Sequence, residues 1–118
     1  MSTSPTTSAT SALIELKGSN NLHHWAHFLK VELEAEELAE HVIDPDSSHL
    51  EPDEYRKSGR YYTWKAKRAK AMRILCSTLK REEVINRLDR AGWDYKNEDP
   101  AYVYLLVWKV FGPEAPNA

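Results

Sequence analysis

The chain has few of the residues on which several common kinds of site depend. Its single cysteine, Cys76, cannot form an internal disulfide, so we expect a protein of a reducing compartment, the cytoplasm. Its four glycines are isolated from one another, which excludes a glycine-rich phosphate-binding loop. No apolar run approaches the roughly 20 residues that span a bilayer, so we expect no membrane partner.

Charge of one sign is not in excess either. The 16 Lys and Arg residues and the 18 Asp and Glu residues leave a formal net charge of −2. This near balance argues against a purely electrostatic nucleic-acid binder. The sequence has no G-x-S-x-G motif, and Cys76 falls on the inner half of a predicted helix. We therefore expect no enzyme, no cofactor and no small-molecule substrate.

Helical periodicity runs through most of the 118 residues. Residues 1–12 are rich in Ser and Thr and are predicted to be a disordered tail, followed by one domain over residues 13–112. Residues 113–118 are predicted to be a flexible end. Because no sustained alternation and no hairpin signal occurs, we expect an all-α fold, a compact bundle of about five helices.

Local signals predict where these helices begin and end. The first helix is predicted to start at Asn20 or Asn21, acting as N-cap, and to end near Ala35. A shorter helix over residues 36–43 and a loop over residues 44–52 follow. The later helices are bounded by proline, glycine and aspartate. They are a long helix after Pro52, a helix over residues 81–91 that closes at Gly92, and a last helix that begins at Asp99-Pro100 and ends at Gly112.

The helical period also predicts which side chains anchor the core. At about 100° per residue, the large apolar side chains of each helix gather on one face. The predicted core anchors are Trp25, Trp64, Leu75, Leu105 and Trp108.

The stretch LHHWAH places two histidines, His23 and His27, four residues apart, the spacing that zinc proteases use in H-E-x-x-H. The residue after His23 is His24 instead of glutamate, so the general base is missing. No third ligand is set by spacing, and both histidines fall opposite Trp25 on the helix. We expect exposed histidines and no metal site, with Trp25 as the informative residue of the stretch.

An ordered series of motifs runs along the domain. It consists of Leu16-x-Gly18-Ser19-Asn20 with Leu22 and Trp25, then Leu38 with Val42-Ile43, Trp64, Ala71 with Ile74, Leu75 and Leu79, Val84-Ile85, Asp99-Pro100-Ala101-Tyr102, and Trp108-x-x-Phe111. Over roughly residues 13–112 this series resembles the N-terminal part of the Gag polyprotein of copia-type LTR retrotransposons. In that family L-x-G-x-N-Y-x-x-W opens the domain, a second tryptophan starts the long helix, and A-x-x-x-W-x-x-L closes it.

The resemblance implies a capsid-type N-terminal lobe with a structural role. Gag subunits assemble into a shell around the RNA of the element, so the resemblance implies a homo-oligomer and no catalysis. In this chain Leu22 stands near the family's aromatic residue, and the family continues into a second lobe and often a zinc knuckle. An expressed fragment, a truncated element and a host-adopted copy are all compatible with the 118 residues. Two other functions stay open, an adaptor that binds a partner peptide in a groove between helices and a small RNA-binding protein.

Charges are segregated along the chain. Residues 31–55 hold ten acids and no Lys or Arg, whereas residues 55–81 hold ten Lys or Arg and no acid. The two blocks can neutralise each other within one fold, or between the acidic segment of one subunit and the basic helix of the next. The basic helix over residues 60–81 can also contact RNA. The candidate RNA contacts on its outward half are Tyr62, Lys65, Lys70, Arg73 and Lys80.

One arginine of the basic helix differs from the others. Arg68 falls between Trp64 and Leu75 on the inward face, where an unpaired charge is costly. The sequence predicts a carboxylate partner for it, either Glu32 or Glu36; the alternative is that the side chain extends out along the groove to solvent.

The last helix, with AYVYLLVWKVF, has apolar residues on two opposite faces and a single charge, Lys109. Either it is the central helix of the bundle, or one face closes the core and the other meets a second chain. The residues that distinguish these cases, and the candidates for self-association, are Tyr102, Leu106 and Val110.

Overall fold

A computed structural model of the chain describes residues 12–43 and 59–113. This part of the chain is an all-α bundle of five α-helices and one short 3-10 helix, without strands, which confirms the predicted fold class. The 3-10 helix covers Ser19–Asn21, α1 covers Leu22–Ala35, α2 Ala39–Val42, α3 Gly59–Ser77, α4 Glu82–Arg90 and α5 Pro100–Phe111. The predicted loop over residues 44–52 and the predicted helix start after Pro52 lie outside the described residues, as do all but one residue each of the predicted tail over residues 1–12 and the predicted flexible end over residues 113–118.

The start of α1 is connected by hydrogen bonds to residues 15–17, for which the sequence predicted neither a helix nor a strand. Asn21 precedes α1, but its side chain does not cap the helix. Its Oδ1 accepts a hydrogen bond from the backbone N–H of Lys17 at 2.9 Å, and its Nδ2 donates to the carbonyl of Glu15 at 3.0 Å. The predicted capping role is therefore wrong, because the Asn21 amide bonds instead to residues 12–17, which precede the 3-10 helix and which we call the lead-in segment.

The end of α1 is a Schellman motif built on an unusual residue. Glu37 takes a left-handed conformation with φ of 60°, and its N–H donates to the carbonyl of Glu34 at 3.1 Å. The N–H of Leu38 donates to the carbonyl of Leu33 at 2.7 Å. These two bonds satisfy carbonyls that the end of the helix leaves free. Since Glu37 and Leu38 form this turn, α2 covers only Ala39–Val42 instead of residues 36–43.

The ends of α4 and α5 follow the sequence signals closely. Gly92 has φ of 96°, and the N–H of Trp93 donates to the carbonyl of Leu88 at 3.1 Å, which gives the predicted left-handed cap. Asp99 caps α5, because its Oδ1 accepts from the N–H of Ala101 at 3.0 Å, and Pro100 occupies the first turn. The helix ends before Gly112 as predicted.

The core is centred on α5, which packs against α2, α3 and α4. Trp25 and Leu75 are fully buried, as predicted for core anchors. The lead-in segment joins this core, because Leu16 is fully buried and its N–H donates to the carbonyl of Thr78 at 2.9 Å. The other fully buried large side chains are Leu22, Leu29, Leu33, Leu38, Val42, Leu79, Val84, Leu88 and Val103.

Candidate functional site

The histidines of LHHWAH lie on the surface of α1. His23, His24 and His27 are exposed, as the helical wheel predicted, and the ring of His23 meets the edge of Trp108 at 5.8 Å between centroids. Within residues 12–43 and 59–113, no three His, Cys, Asp or Glu side chains come close enough together to hold a metal ion.

The three self-association candidates on α5 are less exposed than a contact with a second chain would require. Leu106 is only 7% exposed and belongs to the core, so its assignment as a surface residue for self-association is wrong. Tyr102 is half-buried, and its hydroxyl accepts from the N–H of Asp94 at 2.8 Å and donates to the carbonyl of Gly92 at 3.2 Å. Val110 is also half-buried against the core. The face that carries these three residues is therefore mostly turned toward the protein.

The exposed side of α5 belongs to a residue that was predicted to anchor the core. Leu105 is 50% exposed, so that prediction is wrong. The helix turns its opposite side to α2, α3 and α4, which leaves Leu105 and Lys109 facing outward. Two other predicted anchors are half-buried: Trp108 packs against the core, whereas Trp64 lies beside Tyr61 and Arg68.

A second exposed apolar surface lies on α1. His24, Phe28, Val31 and Ala35 follow each other at intervals of four, three and four residues and share one side of the helix, which we call the outward stripe. Phe28 is 37% exposed and Val31 is 42% exposed. The sequence interpretation passed over this stripe, although the three-residue interval between Phe28 and Val31 was a visible signal.

A groove of about 450 Å³ lies between α3 and the loop that joins α4 to α5. On the loop side, the rings of Trp93 and Tyr95 stack at 4.8 Å between centroids. The α3 side contributes Lys65, Arg68, Ala69, Met72 and Cys76, and Asn97 and Glu98 complete the lining. Its size falls within the range of ligand pockets, and its lining combines an apolar floor with a few charged groups at the rim.

Arg68 stands at the rim of this groove and its partner is not one of the two predicted glutamates. Its guanidinium lies 4.6 Å from the centre of the Trp64 ring, and its Nη2 is 3.4 Å from Oε1 of Glu98. Glu36 instead pairs with Lys70 at 2.7 Å, and Glu32 accepts from the backbone N–H of Ala12 at 3.2 Å. The predicted pairing fails because the arginine side chain leaves the core along Trp64 and reaches the loop before α5.

The residues proposed to contact RNA lie on the surface, but their surroundings differ. Tyr62, Lys65, Arg73 and Lys80 are exposed, and Tyr62 is 55% exposed. Lys70 is engaged by Glu36, and Lys65 lies on the groove side of α3. The pair between Lys70 and Glu36 is a contact between the basic and acidic blocks within one chain.

Among the residues that the structure describes, three titratable side chains have shifted pKa values. Burial lowers the pKa of His41 below its ordinary value, and the charges of Lys67 and Arg68 add to this effect against the opposing influence of Glu40 and Asp99. Burial raises the pKa of the Cys76 thiol, which favours the less reactive protonated form. The hydrogen bond from the Tyr95 hydroxyl to Asp89 raises the pKa of Tyr95.

Comparison with known proteins gives no relative from which a function could be transferred. No family model matches the chain, and no curated protein or solved structure is significantly similar to it. Within the described ranges, no helix combines the length and the apolar content needed to cross a membrane.

Proposed function

We propose that this chain is a non-enzymatic self-association domain that contributes to a capsid-type particle in the cytoplasm. The observation that carries the proposal is the exposure of three large apolar side chains on two helices of a small bundle. Phe28 and Val31 lie on α1, and Leu105 lies on α5. Exposed apolar surface on a soluble domain is typical of a protein–protein contact. The resemblance of the sequence to copia-type Gag supports a contact between copies of the same chain.

Particle assembly requires more than one contact surface on each subunit, and apolar side chains on two helices fit this requirement. A subunit with one self-complementary patch stops at a dimer, whereas contacts on separate surfaces continue into larger assemblies. In this proposal the exposed part of α1 and the exposed part of α5 supply different contacts.

The groove between α3 and the α4–α5 loop favours a second candidate function, an adaptor that binds a partner peptide. Its loop side carries the stacked rings of Trp93 and Tyr95, and Lys65 and Arg68 line its α3 side. Such a lining suits a short peptide with an apolar anchor and an acidic side chain. An adaptor of this kind functions as a monomer.

Light scattering after size exclusion, over a wide range of protein concentrations and with and without RNA, distinguishes these functions. The self-association proposal predicts a mass that rises with protein concentration in the absence of RNA. A mass of 13.6 kDa at every concentration, with or without RNA, would contradict it and favour the adaptor. A mass increase that requires RNA and disappears with added salt would favour an RNA-binding protein instead.

A further inference from the structure

The spacing of the outward stripe on α1 matches the seam of a two-helix coiled coil. Side chains at alternating intervals of four and three residues form one row along a helix, which a second helix can cover. The two central members of the row, Phe28 and Val31, are large and partly exposed. From His24 to Ala35 the row extends along about 16 Å of helix, out of the roughly 21 Å of the 14-residue α1.

The row reads the same in both directions. Intervals of four, three and four residues are unchanged when the order is reversed, so an antiparallel copy of α1 presents the same pattern. In that arrangement Phe28 of each chain lies opposite Val31 of the other, and His24 lies opposite Ala35. A self-complementary patch of this type is the requirement for a two-fold contact between identical subunits.

The charges of α1 run against the helix dipole. The helix has no acidic residue in its first turn and no basic residue in its last turn. Its first half carries the histidines His23, His24 and His27, Lys30 is its one lysine or arginine, and its C-terminal end and cap carry Glu32, Glu34 and Glu36. An isolated helix is stabilised by the opposite order. An antiparallel neighbour offsets this disadvantage, because its acidic end lies beside the N-terminal end of the first helix, which carries no carboxylate, and its dipole points the other way.

One histidine and one glutamate flank the outward stripe on the same side. His27 and Glu34 are seven residues apart, and antiparallel pairing places His27 of each chain beside Glu34 of the other. Glu34 lies at a shallow hollow that it shares with Lys67, but it forms no ion pair within 4.0 Å with any described residue. The ring of His27 contacts Phe28 and makes no hydrogen bond within the described ranges. Both side chains are therefore available to a second copy.

We propose that α1 forms a two-fold, antiparallel contact with α1 of a second copy through the outward stripe, flanked by two His27–Glu34 pairs. The inference rests on the proposed self-association and assigns one of its contacts. A parallel arrangement would place the acidic halves of the two helices side by side. It would also direct His27 toward Glu32, whose carboxylate already accepts from the N–H of Ala12.

A single helix pair of this length is a weak contact. It buries less than the roughly 1,200 Å² of surface found in standard stable complexes, so the dimer forms at high protein concentration. Weak contacts of this kind become effective when several act together in an assembly.

Sedimentation velocity of the double variant Phe28→Lys with Val31→Lys, which places like charges opposite each other in the antiparallel contact, tests the stripe. Both positions are partly exposed, so the bundle tolerates the change, and circular dichroism verifies that it does. We expect self-association to weaken about tenfold or more, because charges replace the apolar centre of the contact. The matched control is Tyr62→Lys, a similar change at an exposed aromatic of α3, which leaves self-association unchanged. Equal association of the double variant and the wild type would overturn the α1 contact.

The charged pairs allow a rescue experiment on the surface of the helix. His27→Glu faces Glu34 of the second copy with a like charge and weakens the dimer. Adding Glu34→Lys to that variant restores an attractive pair and returns the association toward the wild-type level. An unaltered dimer in the first variant, or no recovery in the second, would contradict the antiparallel arrangement.

Disulfide cross-linking reports the direction of pairing. In a Cys76→Ser background, chains with His24→Cys and chains with Ala35→Cys are oxidised separately and then as a mixture. Antiparallel pairing predicts a cross-link in the mixture alone. Equivalent positions 24 are then about 16 Å apart along the helix, and a disulfide needs Cα atoms within about 7 Å. A cross-link in either single variant alone would overturn it. If the wild type itself stays monomeric, the proposed function fails together with the contact, whereas an associating wild type without this cross-link overturns only the contact.

Discussion

Trp25 is the largest fully buried side chain of the protein, and its polar atom depends on one partner. The indole Nε1 donates to Oγ1 of Thr78 at 2.9 Å, and the Thr78 hydroxyl donates to the carbonyl of Leu75 at 2.6 Å. These bonds join α1 to the end of α3. A buried donor of this kind is satisfied by a single acceptor that the sequence alone did not identify.

Removing that acceptor is expected to destabilise the protein. Thr78→Val preserves the shape of the side chain but leaves the Trp25 N–H buried without a partner, which lowers the free energy of unfolding by about 1–3 kcal/mol. Thr78→Ser keeps the hydroxyl and is the control, with a smaller loss. Urea unfolding followed by tryptophan fluorescence measures both variants, and equal losses would show that the hydrogen bond is unimportant.

The buried position of His41 predicts how the free energy of unfolding depends on pH. It is buried, and its folded-state pKa is lowered from the ordinary value of 6.5. Below about pH 6.5 the unfolded chain therefore binds a proton more readily than the folded chain, so this residue reduces the free energy of unfolding as the pH falls. Above pH 6.5 both states are neutral at this position and the effect disappears.

The variant His41→Gln is expected to lose this part of the pH dependence. The slope of unfolding free energy against pH, between pH 7 and pH 5, becomes smaller than in the wild type. His24→Gln, on the exposed side of α1, is the control for removing a histidine. Thermal unfolding at a series of pH values gives the slopes, and identical slopes for His41→Gln and the wild type would contradict the buried neutral histidine.

At the scale of the helices, the sequence predicted the boundaries that local chemistry determines. Asp99-Pro100 begins α5 and Gly92 ends α4 as predicted. A capping carboxylate, a proline ring and a left-handed glycine need no partner that is distant in sequence. The end of α1 was harder to predict, because Glu37 adopts a left-handed conformation without being glycine or asparagine. The burial of the Leu38 side chain, which the packed fold provides, stabilises that turn.

The two left-handed caps predict opposite effects of substitution. Glu37→Gly removes the Cβ from an unfavourable backbone conformation, and we expect it to raise the free energy of unfolding by about 0.5–1 kcal/mol. Gly92→Ala introduces a Cβ into the same conformation and lowers it by about 1 kcal/mol. Gly59→Ala, which meets open space without positive φ, is the control. Chemical denaturation compares all three, and a destabilised Glu37→Gly would contradict this interpretation of the α1 end.

The candidate surface on α5 was predicted less well for a related reason. When a helix is apolar on both sides, its own period cannot indicate which side faces the neighbouring helices. The arrangement of α2, α3 and α4 makes that choice, so Leu106 is buried and Leu105 is exposed. The groove depends on the same long-range packing, since α3 and the loop with Trp93 and Tyr95 are distant in sequence.

Adjacent leucines of α5 therefore respond differently to truncation. Leu106→Ala leaves a cavity in the core and lowers the free energy of unfolding by about 2–4 kcal/mol. Leu105→Ala, at a half-exposed position, changes it by less than about 0.5 kcal/mol. Differential scanning calorimetry of the two variants tests the assignment, and a larger loss for Leu105→Ala would mean that α5 is rotated from the described orientation.

At the scale of the whole molecule, the segregated charges contribute to arrangement more than to stability. The pair between Lys70 and Glu36 has a separation of 2.7 Å but is partly exposed, so it adds about 0.2–1 kcal/mol at most. Glu34 of α1 forms no ion pair with a described residue and stays available for a contact between chains. The exposed apolar residues of α1 and α5 then decide whether such contacts form.

The mass of the wild-type chain at equilibrium tests this account most directly. Sedimentation equilibrium in RNA-free buffer, from micromolar to near-millimolar protein, measures it without a label or a partner. We predict that the weight-average mass rises with concentration from 13.6 kDa toward at least twice that value, because apolar stripes on separate chains cover each other. A mass that stays at 13.6 kDa across the whole range would contradict self-association as the function of this protein.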